Sequence, residues 1–145
     1  MRIKLKQLDP DLPIPKYAHK NDAGCDLYSR IDLVLKPGER ALMPTGIQIA
    51  IPVGYAGFIQ PRSGIALTHG ISIVNSPGIV DSSYRGEIKV ILINLDKKKT
   101  VKLKKGEKVC QLTIQKVEKA DFELVNDLDK TERGGGGFGS TELNA

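Results

Sequence analysis

Short stretches in which apolar and polar side chains alternate dominate the sequence. Near its start, Ile3 and Leu5 alternate with Lys4 and Lys6, and similar patterns recur along the chain. Alternation with a period of two is typical of a β-strand with one buried face. The sequence predicts strands at residues 3–7, 31–35, 46–51, 56–60, 71–75, 88–95, 100–103 and 108–117.

Turns rich in glycine and proline separate these stretches, at 36–38, 52–54, 76–78 and 105–107. Many short strands spaced roughly 8–12 residues apart are typical of a β-sandwich or barrel. Residues 90–93 are apolar on both faces, which predicts burial between two sheets or against another subunit. A helix is expected at 64–69, with Ser63 as its N-cap and Gly70 at its end. The pattern therefore predicts an all-β domain with one short helix.

Length and composition restrict the class of protein. At 145 residues the chain has room for one domain with its own core. No apolar run approaches the ~20 residues of a membrane span, and the first ten residues lack the apolar block of a signal peptide. Cys25 and Cys110 are too few for a disulfide framework, and we expect both to be small buried hydrophobes in a reducing compartment. These features predict a cytoplasmic protein with no membrane partner.

The net charge of +5 raises the alternative of a nucleic-acid-binding protein. Much of the charge lies in one cluster that surrounds a loop between two predicted strands, in Lys97, Lys98, Lys99, Lys102, Lys104, Lys105 and Lys108. No aromatic residue is interleaved with these lysines, and three phenylalanines and four tyrosines are few for base stacking. Lysine-rich turns also protect the edges of sheets. The distribution favours a solvated hairpin, so no nucleic-acid partner is predicted.

The segment Pro61-Arg62-Ser63-Gly64 is a candidate phosphate site. It places a cation, a hydroxyl and a bare backbone at the predicted helix start, where free N–H groups and the helix dipole favour an anion. A capped turn with a surface arginine explains the same residues equally well.

The last fifteen residues differ in composition from the rest and form a second candidate anion site. Arg133 precedes Gly134 to Gly137, and Ser140 and Thr141 follow. Main-chain N–H groups of glycines can wrap around a phosphate, although a flexible linker is the more common meaning of such a run. Because glycine loses the most backbone entropy on ordering, we expect a mobile tail over 131–145 and a domain over 1–130.

Three further polar residues lie in predicted β-structure. Asp81 begins a turn over 81–87, in a hairpin whose expected arms are 73–80 and 88–94. A turn-stabilising role is the usual one for an aspartate beside a serine. Gln111 alternates with Cys110 and Leu112, so it lies on the opposite face of its strand, and Asp26 is unremarkable by itself.

Five segments are more informative together than singly. They are AGCDLYS (23–29), PRSGIA (61–66), GIVDSSYRGE (78–87), GEKVCQL (106–112) and RGGGGFGST (133–141). In sequence and order they closely resemble the five motifs of the trimeric dUTP pyrophosphatase (dUTPase) family, over residues 16–141. The resemblance implies a jelly-roll-like β-sandwich or barrel that forms a threefold homotrimer, with each active site shared among three subunits.

The resemblance also implies a reaction. In this reaction dUTP is hydrolysed to dUMP and pyrophosphate, which keeps uracil out of DNA and supplies dUMP for thymidylate synthesis. Asp81 matches the residue that orients and deprotonates the water attacking the α-phosphorus, and it is a carboxylate at neutral pH. The implied cofactor is Mg²⁺, bound by triphosphate oxygens and waters and reached by Asp26 through a coordinated water, in keeping with the hydration that Mg²⁺ retains.

The implied substrate contacts come from three chains. One subunit supplies the phosphate-binding residues Arg62, Ser63, Gly64 and Gln111. A second supplies the hairpin, where uracil lies between separated arms, read mainly by main-chain groups at the positions of Asn75, Ile79, Val80 and Lys89. Tyr84 packs against deoxyribose where a 2′-hydroxyl would clash.

The third subunit supplies the tail. In the family pattern Phe138 covers the uracil ring and Arg133 reaches the γ-phosphate, and Gly139 and Ser140 belong to the same binding segment. Uracil and cytosine exchange a donor for an acceptor at two adjacent positions, so a fixed backbone pattern leaves buried groups unpaired with cytosine.

Two departures and three alternatives accompany this resemblance. Lys108 stands where the family commonly has arginine and lacks the bidentate fork, and residues 75–78 are one of several variants of the uracil-reading segment. A dCTP deaminase would share the fold, but Tyr84 and the tail favour the hydrolase. A non-catalytic nucleotide sensor is disfavoured because Asp81 and the tail are both present, and a nucleic-acid-binding role rests only on the lysine cluster.

Overall fold

A computed structural model describes residues 1–137, and these residues form almost entirely β-structure. The described part of the chain contains eleven strands and one helix. In chain order they are β1 (Lys4–Gln7), β2 (Gly24–Tyr28), β3 (Leu33–Leu35), β4 (Arg40–Pro44), β5 (Ile47–Ala50), β6 (Tyr55–Pro61), α1 (Ser63–His69), β7 (Ile71–Ile73), β8 (Gly78–Val80), β9 (Lys89–Asn94), β10 (Val101–Leu103) and β11 (Lys108–Lys116). The prediction of an all-β domain with one short helix is confirmed.

The strands form two larger sheets and two strand pairs, and every pairing is antiparallel. One sheet has the order β2–β11–β6–β8 and the other β4–β9–β7, while β1 pairs with β5 and β10 pairs with β3. Neighbouring strands in these sheets are far apart in sequence. The positions of the candidate site residues therefore depend on long-range pairing.

Each of the eight predicted stretches contains a strand, but three strands, β2, β4 and β8, were not predicted from alternation, and β8 was included only in the expected hairpin arm 73–80. Strand β2 contains Gly24 and Asp26, two residue types that are depleted in strands. Strand β4 ends at Pro44, and it lies at the edge of its sheet, where a proline is tolerated. A Cβ atom at Gly24 would lie 3.1 Å from Thr113 Cγ2, so the glycine allows β2 to pack closely against β11.

The predicted hairpin arms 73–80 and 88–94 are not paired along their length, and that prediction was wrong in part. Strand β7 pairs with β9, and the ladder continues to a hydrogen bond from Val74 N–H to Ile91 O at 3.0 Å. Strand β8 instead pairs with β6, with Val80 opposite Gly57. A Cβ atom on Gly57 would lie 3.3 Å from Val80 Cβ, so the glycine lets the two strands approach. The chain thus opens between β8 and β9.

The helix begins one residue earlier than predicted, and Ser63 is not its cap. Arg62 occupies the N-cap position with extended backbone angles, and its side chain makes no capping hydrogen bond. The Ser63 hydroxyl is therefore not needed for capping. Gly70 ends the helix as predicted, with φ 64° and a hydrogen bond from its N–H to Ala66 O at 3.0 Å.

The core is a continuous apolar cluster to which most strands contribute, including the fully buried Leu27, Leu35, Met43, Ile71, Leu92, Val109 and Cys110. In β9, Val90 and Leu92 are buried in this core, whereas Ile91 and Ile93 on the other face are only half-buried. The prediction that residues 90–93 are buried on both faces therefore holds for only one face within a single chain.

The lysine-rich stretch begins as an ordered turn. The buried Asn94 side chain donates to Leu35 O and Lys99 O, both at 2.9 Å, and accepts from Asp96 N–H at 2.9 Å. The Asp96 carboxylate accepts the N–H groups of Lys98 and Lys99 at 2.8 Å, and these bonds lower the pKa of Asp96. The side chains of Lys97, Lys98 and Lys99 are exposed, so this stretch is solvated as predicted, but β9 and β10 pair with different strands and the predicted hairpin is not formed.

Both cysteines are free thiols. Burial raises the pKa of Cys110 to about 12, and it also raises that of the half-buried Cys25. Both thiols are therefore protonated at neutral pH, as expected of packing residues.

Of the helices present from Met1 to Gly137, none is sufficiently long and apolar to cross a bilayer.

Candidate active site

A row of polar side chains crosses the four-stranded sheet. Asp26 on β2 lies opposite Gln111 on β11, which lies opposite Gln60 on β6. Gln111 donates from Nε2 to Pro61 O at 3.0 Å, so its amide is held beside the segment that leads into the helix. Sequence reasoning identified Asp26 and Gln111 but missed Gln60, because its place in the row depends on the register between β6 and β11.

Asp26 holds two cations together at the end of this row. Its Oδ1 lies 2.7 Å from Arg62 Nε and its Oδ2 lies 2.8 Å from Lys108 Nζ. Arg62 also donates from Nη1 to Lys108 O at 3.3 Å. The hydrogen bond to Asp26 raises the pKa of Lys108, so the ammonium is retained at neutral pH. The cluster thus presents two fixed cations against one carboxylate.

Ser63 and Gly64 follow Arg62 directly in the first turn of the helix. Their main-chain N–H groups belong to the first turn, where a helix has no internal acceptors. A Cβ atom at Gly64 would meet nothing within 4 Å, so the backbone there faces open space. A cleft of about 480 Å³ on this side is bounded by Arg62, Gly64 and Lys108, and a second of about 410 Å³ by Asp26, Gln60 and Gln111.

A second group of candidate residues lies on β8, on β9 and at the end of the ladder between β7 and β9. Asn75 is exposed just beyond the last hydrogen bond between β7 and β9, and Ile79 and Lys89 are exposed on the two strands that separate. The Val80 side chain is buried in the core, so any contact that Val80 makes with a ligand must come from its main chain.

Asp81 lies in a closed loop that leaves its carboxylate free. The turn is made by the main chain, with Tyr84 N–H donating to Asp81 O at 3.1 Å. Within residues 1–137 no hydrogen bond or ion pair uses the Asp81 side chain, which is exposed. The usual turn-stabilising role of an aspartate side chain is therefore absent here, which leaves Asp81 available for chemistry.

Tyr84 is folded back over its own loop. Its hydroxyl donates to Glu87 O at 2.9 Å, and a Cβ atom on Gly86 would lie 2.3 Å from that hydroxyl. Only glycine at position 86 leaves room for the ring. Sequence reasoning assigned Gly86 no role, although a glycine two residues after a candidate binding tyrosine was the available signal.

The predicted site residues fall into separate groups on one chain. Asp26, Arg62 and Gln111 come together, and no hydrogen bond or ion pair in the described residues joins them to the Asp81 loop. Arg133 is exposed, and its Nε donates to Gly136 O at 2.9 Å. The predicted binding residues Phe138, Gly139 and Ser140 lie outside the described residues.

The sequence model of the dUTPase family matches residues 11–142 of the chain. A deoxyuridine 5′-triphosphate nucleotidohydrolase from Thermobifida fusca is 57% identical over 141 residues, which cover 97% of this chain and 79% of that protein. A protein of the same name from Corynebacterium glutamicum is 54% identical over 139 residues, covering 96% of this chain and 93% of its own length.

The fold gives the same relationship. The solved structure of the Staphylococcus bacteriophage 80alpha dUTPase with dUPNHPP superposes with a TM-score of 0.88 at 27% identity, covering 98% of this chain and 99% of that one. This likeness confirms the expected jelly-roll-like β fold. On sequence and structure together, the chain belongs to the dUTPase family.

Proposed function

We propose that this enzyme hydrolyses dUTP to dUMP and pyrophosphate by attack of a water molecule on the α-phosphorus. The observation that carries the proposal is the pairing of Asp26 with Arg62 and Lys108 beside an open helix start, within the family's motif order. Its relatives bear the name of the same activity, deoxyuridine 5′-triphosphate nucleotidohydrolase. In the cell this reaction keeps uracil out of DNA and supplies dUMP for thymidylate synthesis.

The triphosphate binds at Arg62, Ser63, Gly64 and Gln111. Arg62 supplies a guanidinium that can pair with two phosphate oxygens, and Ser63 supplies a hydroxyl that the helix does not use as a cap. Gly64 lets phosphate approach the main-chain N–H groups, because no side chain stands in the way. Asp26 holds Arg62 in place before substrate arrives, which lowers the cost of ordering a long side chain.

Asp81 acts on the water. Its carboxylate is exposed and unpaired among the described residues, so it can accept a hydrogen bond from a water and then its proton. A carboxylate is a weak base at neutral pH, so alignment of the water for attack contributes as well as proton removal.

The residues present are compatible with Mg²⁺ that is bound mainly by the triphosphate of the substrate, and not with an ion held by the protein alone. The described chain contains no group of three His, Cys, Asp or Glu side chains that could cage a metal ion, and both Asp26 oxygens already face cations. Each carboxylate oxygen retains a further lone pair, with which Asp26 can accept a hydrogen bond from a metal-bound water. When bound, Mg²⁺ would neutralise phosphate charge and orient the triphosphate.

Uracil binds in the opening between β8 and β9. Asn75 can offer its amide to a uracil carbonyl, while the main chain at Ile79, Val80 and Lys89 provides the remaining donors and acceptors. Because the Val80 side chain is buried in the core, the position of its main chain is fixed. The hydrogen-bond donors and acceptors that it offers to the base are therefore rigidly placed. Tyr84 packs on deoxyribose, and its ring lies close above Gly86 with its hydroxyl bonded to Glu87 O.

The tail over 131–145 closes over a site built by the domain over 1–130. Residues 131–137 are exposed or half-buried, and the hydrogen bonds that involve them are local. Arg133 would reach the γ-phosphate, and Phe138 would cover uracil with Gly139 and Ser140 following. Bound triphosphate supplies the charge that orders these residues.

The apolar surface of the single chain supports assembly into a homotrimer with shared sites. Leu42, Ile91 and Val74 lie side by side on the outer face of the three-stranded sheet, and none of them is buried. Beyond β11, Phe122 and Leu124 are 97% and 99% exposed. An apolar cleft of about 550 Å³ beside β1 offers a complementary surface. Surfaces of this kind mark interfaces with other protein chains.

We expect light scattering to give three times the chain mass of 15.8 kDa. Ile91→Glu should dissociate the trimer and remove most activity, because a charge at the centre of an apolar interface costs several kcal/mol. Val53→Glu is the matched control, since Val53 is 92% exposed in a turn, and its trimer should persist. A wild-type chain that is monomeric and fully active at micromolar concentration would refute the trimer.

The function is tested by measuring pyrophosphate release from dUTP, dTTP, dCTP and UTP with Mg²⁺ and with excess EDTA. We expect dUTP to be strongly preferred and EDTA to suppress turnover. Ammonia released from dCTP would identify a deaminase instead. Tight dUTP binding without turnover would identify a nucleotide sensor.

A further inference from the structure

The loop that carries Asp81 and Tyr84 is anchored at its far end by the Glu87 carboxylate. Glu87 is 13% exposed at its side chain. Its Oε1 accepts the Gly46 N–H at 2.9 Å and lies 3.2 Å from Arg30 Nη1. The end of the loop is therefore tied to the turn between β4 and β5 and to the segment after β2.

Arg30 links this anchor to the N-terminal segment. Its Nη2 donates to Leu8 O at 3.3 Å, and its Nε lies 3.7 Å from Asp9 Oδ2. Its own N–H donates to Pro44 O at 2.9 Å, so the backbone at Arg30 is fixed as well. A guanidinium can contact a carbonyl and two carboxylates simultaneously because its donors form a planar fork, and a lysine cannot reproduce this geometry.

A second cation completes the network. Lys105 Nζ lies 3.0 Å from Asp9 Oδ2 and 3.2 Å from Asp11 Oδ2. These contacts raise the pKa of Lys105, and the hydrogen bond from Lys105 lowers the pKa of Asp9, whose side chain is only 11% exposed. Networks of partly buried charges are more specific in geometry than isolated surface pairs. The order Lys105–Asp9–Arg30–Glu87 thus holds the loop end at a defined position.

The position of Glu87 sets the position of Tyr84. The Tyr84 hydroxyl donates to the main-chain oxygen of Glu87 at 2.9 Å, and the ring lies close above Gly86. Movement of the Glu87 main chain would carry the tyrosine ring with it. The Arg30–Glu87 contact and the Tyr84–Glu87 hydrogen bond therefore form one chain of contacts that ends at the tyrosine ring.

We propose that Arg30, acting through Glu87, is a positioning residue that holds Tyr84 against the deoxyribose and thereby sets the discrimination between dUTP and UTP. The proposal rests on the proposed function, in which Tyr84 packs on the sugar. Steric rejection of a 2′-hydroxyl requires a ring that cannot retreat, because a displacement of less than 1 Å relieves much of a close contact. Without the Arg30–Glu87 contact, the Tyr84 ring should move aside and accommodate the 2′-hydroxyl of UTP.

The test compares Arg30→Met and Glu87→Gln with wild type. In Glu87→Gln the amide oxygen can still accept the Gly46 N–H, but the ion pair with Arg30 is reduced to a hydrogen bond with a neutral acceptor, so this variant probes a weakened link if Arg30→Met fails to fold. We expect the ratio of kcat/KM for dUTP to that for UTP to fall by about tenfold in Arg30→Met and by a smaller factor in Glu87→Gln, chiefly because UTP is used better. Lys116→Met, which breaks an exposed pair with Glu118 at 3.3 Å, is the control and should leave the ratio unchanged.

A Tyr84→Phe background shows whether Arg30 acts through the tyrosine. Removal of the hydroxyl breaks the bond to Glu87, so adding Arg30→Met should lower the ratio little further, whereas independent effects would multiply. A lower melting temperature with an unchanged ratio in both variants would overturn the inference and leave a structural role. A wild-type enzyme that fails to hydrolyse dUTP would overturn the proposed function instead.

Discussion

Asp81→Asn is expected to lower the turnover of dUTP by about 10²–10⁴-fold, the usual contribution of a general base. The amide has the size of the carboxylate and can still accept a hydrogen bond from the water, but it cannot take up the proton. Nucleotide binding should survive, because the phosphate-binding side chains lie in a separate cluster around Asp26. Folding should survive as well, since no described bond uses the Asp81 side chain.

The measurement pairs pyrophosphate release with the Kd for a dUTP analogue whose α–β bridge resists hydrolysis. Asp121→Asn makes the same chemical change at an exposed residue beyond β11, and it should retain wild-type turnover. A variant at Asp81 that keeps a tenth of wild-type turnover would place the base elsewhere. Loss of analogue binding in Asp81→Asn would show that the residue binds substrate rather than activates water.

Deletion of residues 131–145 should leave a folded trimer that binds dUTP measurably and turns it over at least about 10²-fold more slowly, the effect of removing one group that stabilises developing charge. The described part of the tail contributes only local bonds, such as Arg133 Nε to Gly136 O at 2.9 Å, so its removal exposes no core. Ordering a glycine run costs backbone entropy, which substrate phosphate offsets by pairing with Arg133. Closure would then exclude bulk solvent from the site, apart from the attacking water.

Turnover and melting temperature should be measured together on the truncated chain. Deletion of residues 142–145 alone is the matched control, because it preserves the whole RGGGGFGST segment, and it should behave as wild type. Arg133→Ala in the full-length chain separates the effect of the charge from that of the covering segment. Unchanged turnover after the full deletion would refute the lid, and a large fall in melting temperature would make the tail a structural element.

Period-two alternation located most of the fold, because burial of one face imposes that pattern on a strand wherever its partner lies. It did not locate β2, where Gly24 and Asp26 serve close packing and the site rather than the core. Nor did it show that β8 leaves β9 and joins β6, because pairing between distant strands is decided by packing at positions such as Gly57. The prediction of Ser63 as the helix cap was wrong because of another long-range contact. Arg62, held by Asp26 on β2, occupies the N-cap position instead.

The candidate site was predicted by the order of five segments and not by any residue alone. Asp26 and Gln111 were unremarkable in isolation, and only the register across β2, β11 and β6 places them in one row with Gln60. Lys108 lies opposite Tyr28, beyond a register shift in the same strand pair, and its ammonium reaches Asp26, so the lysine forms the ion pair with a single ammonium in place of a fork. The contacts of Arg30 join segments that are distant in sequence, so no sequence pattern singled this residue out.

With uracil bound between β8 and β9, as proposed, the separate pairing of these strands would limit how the base specificity can be redesigned. The two edges of the opening belong to different sheets, so its width is maintained by main-chain ladders to β6 on one side and to β4 and β7 on the other. Libraries that randomise side chains around the opening leave that spacing and its hydrogen-bond pattern in place. Variants that accept cytosine or thymine should therefore arise from insertions or deletions within 75–78, which shift the register of β8, and seldom from point substitutions.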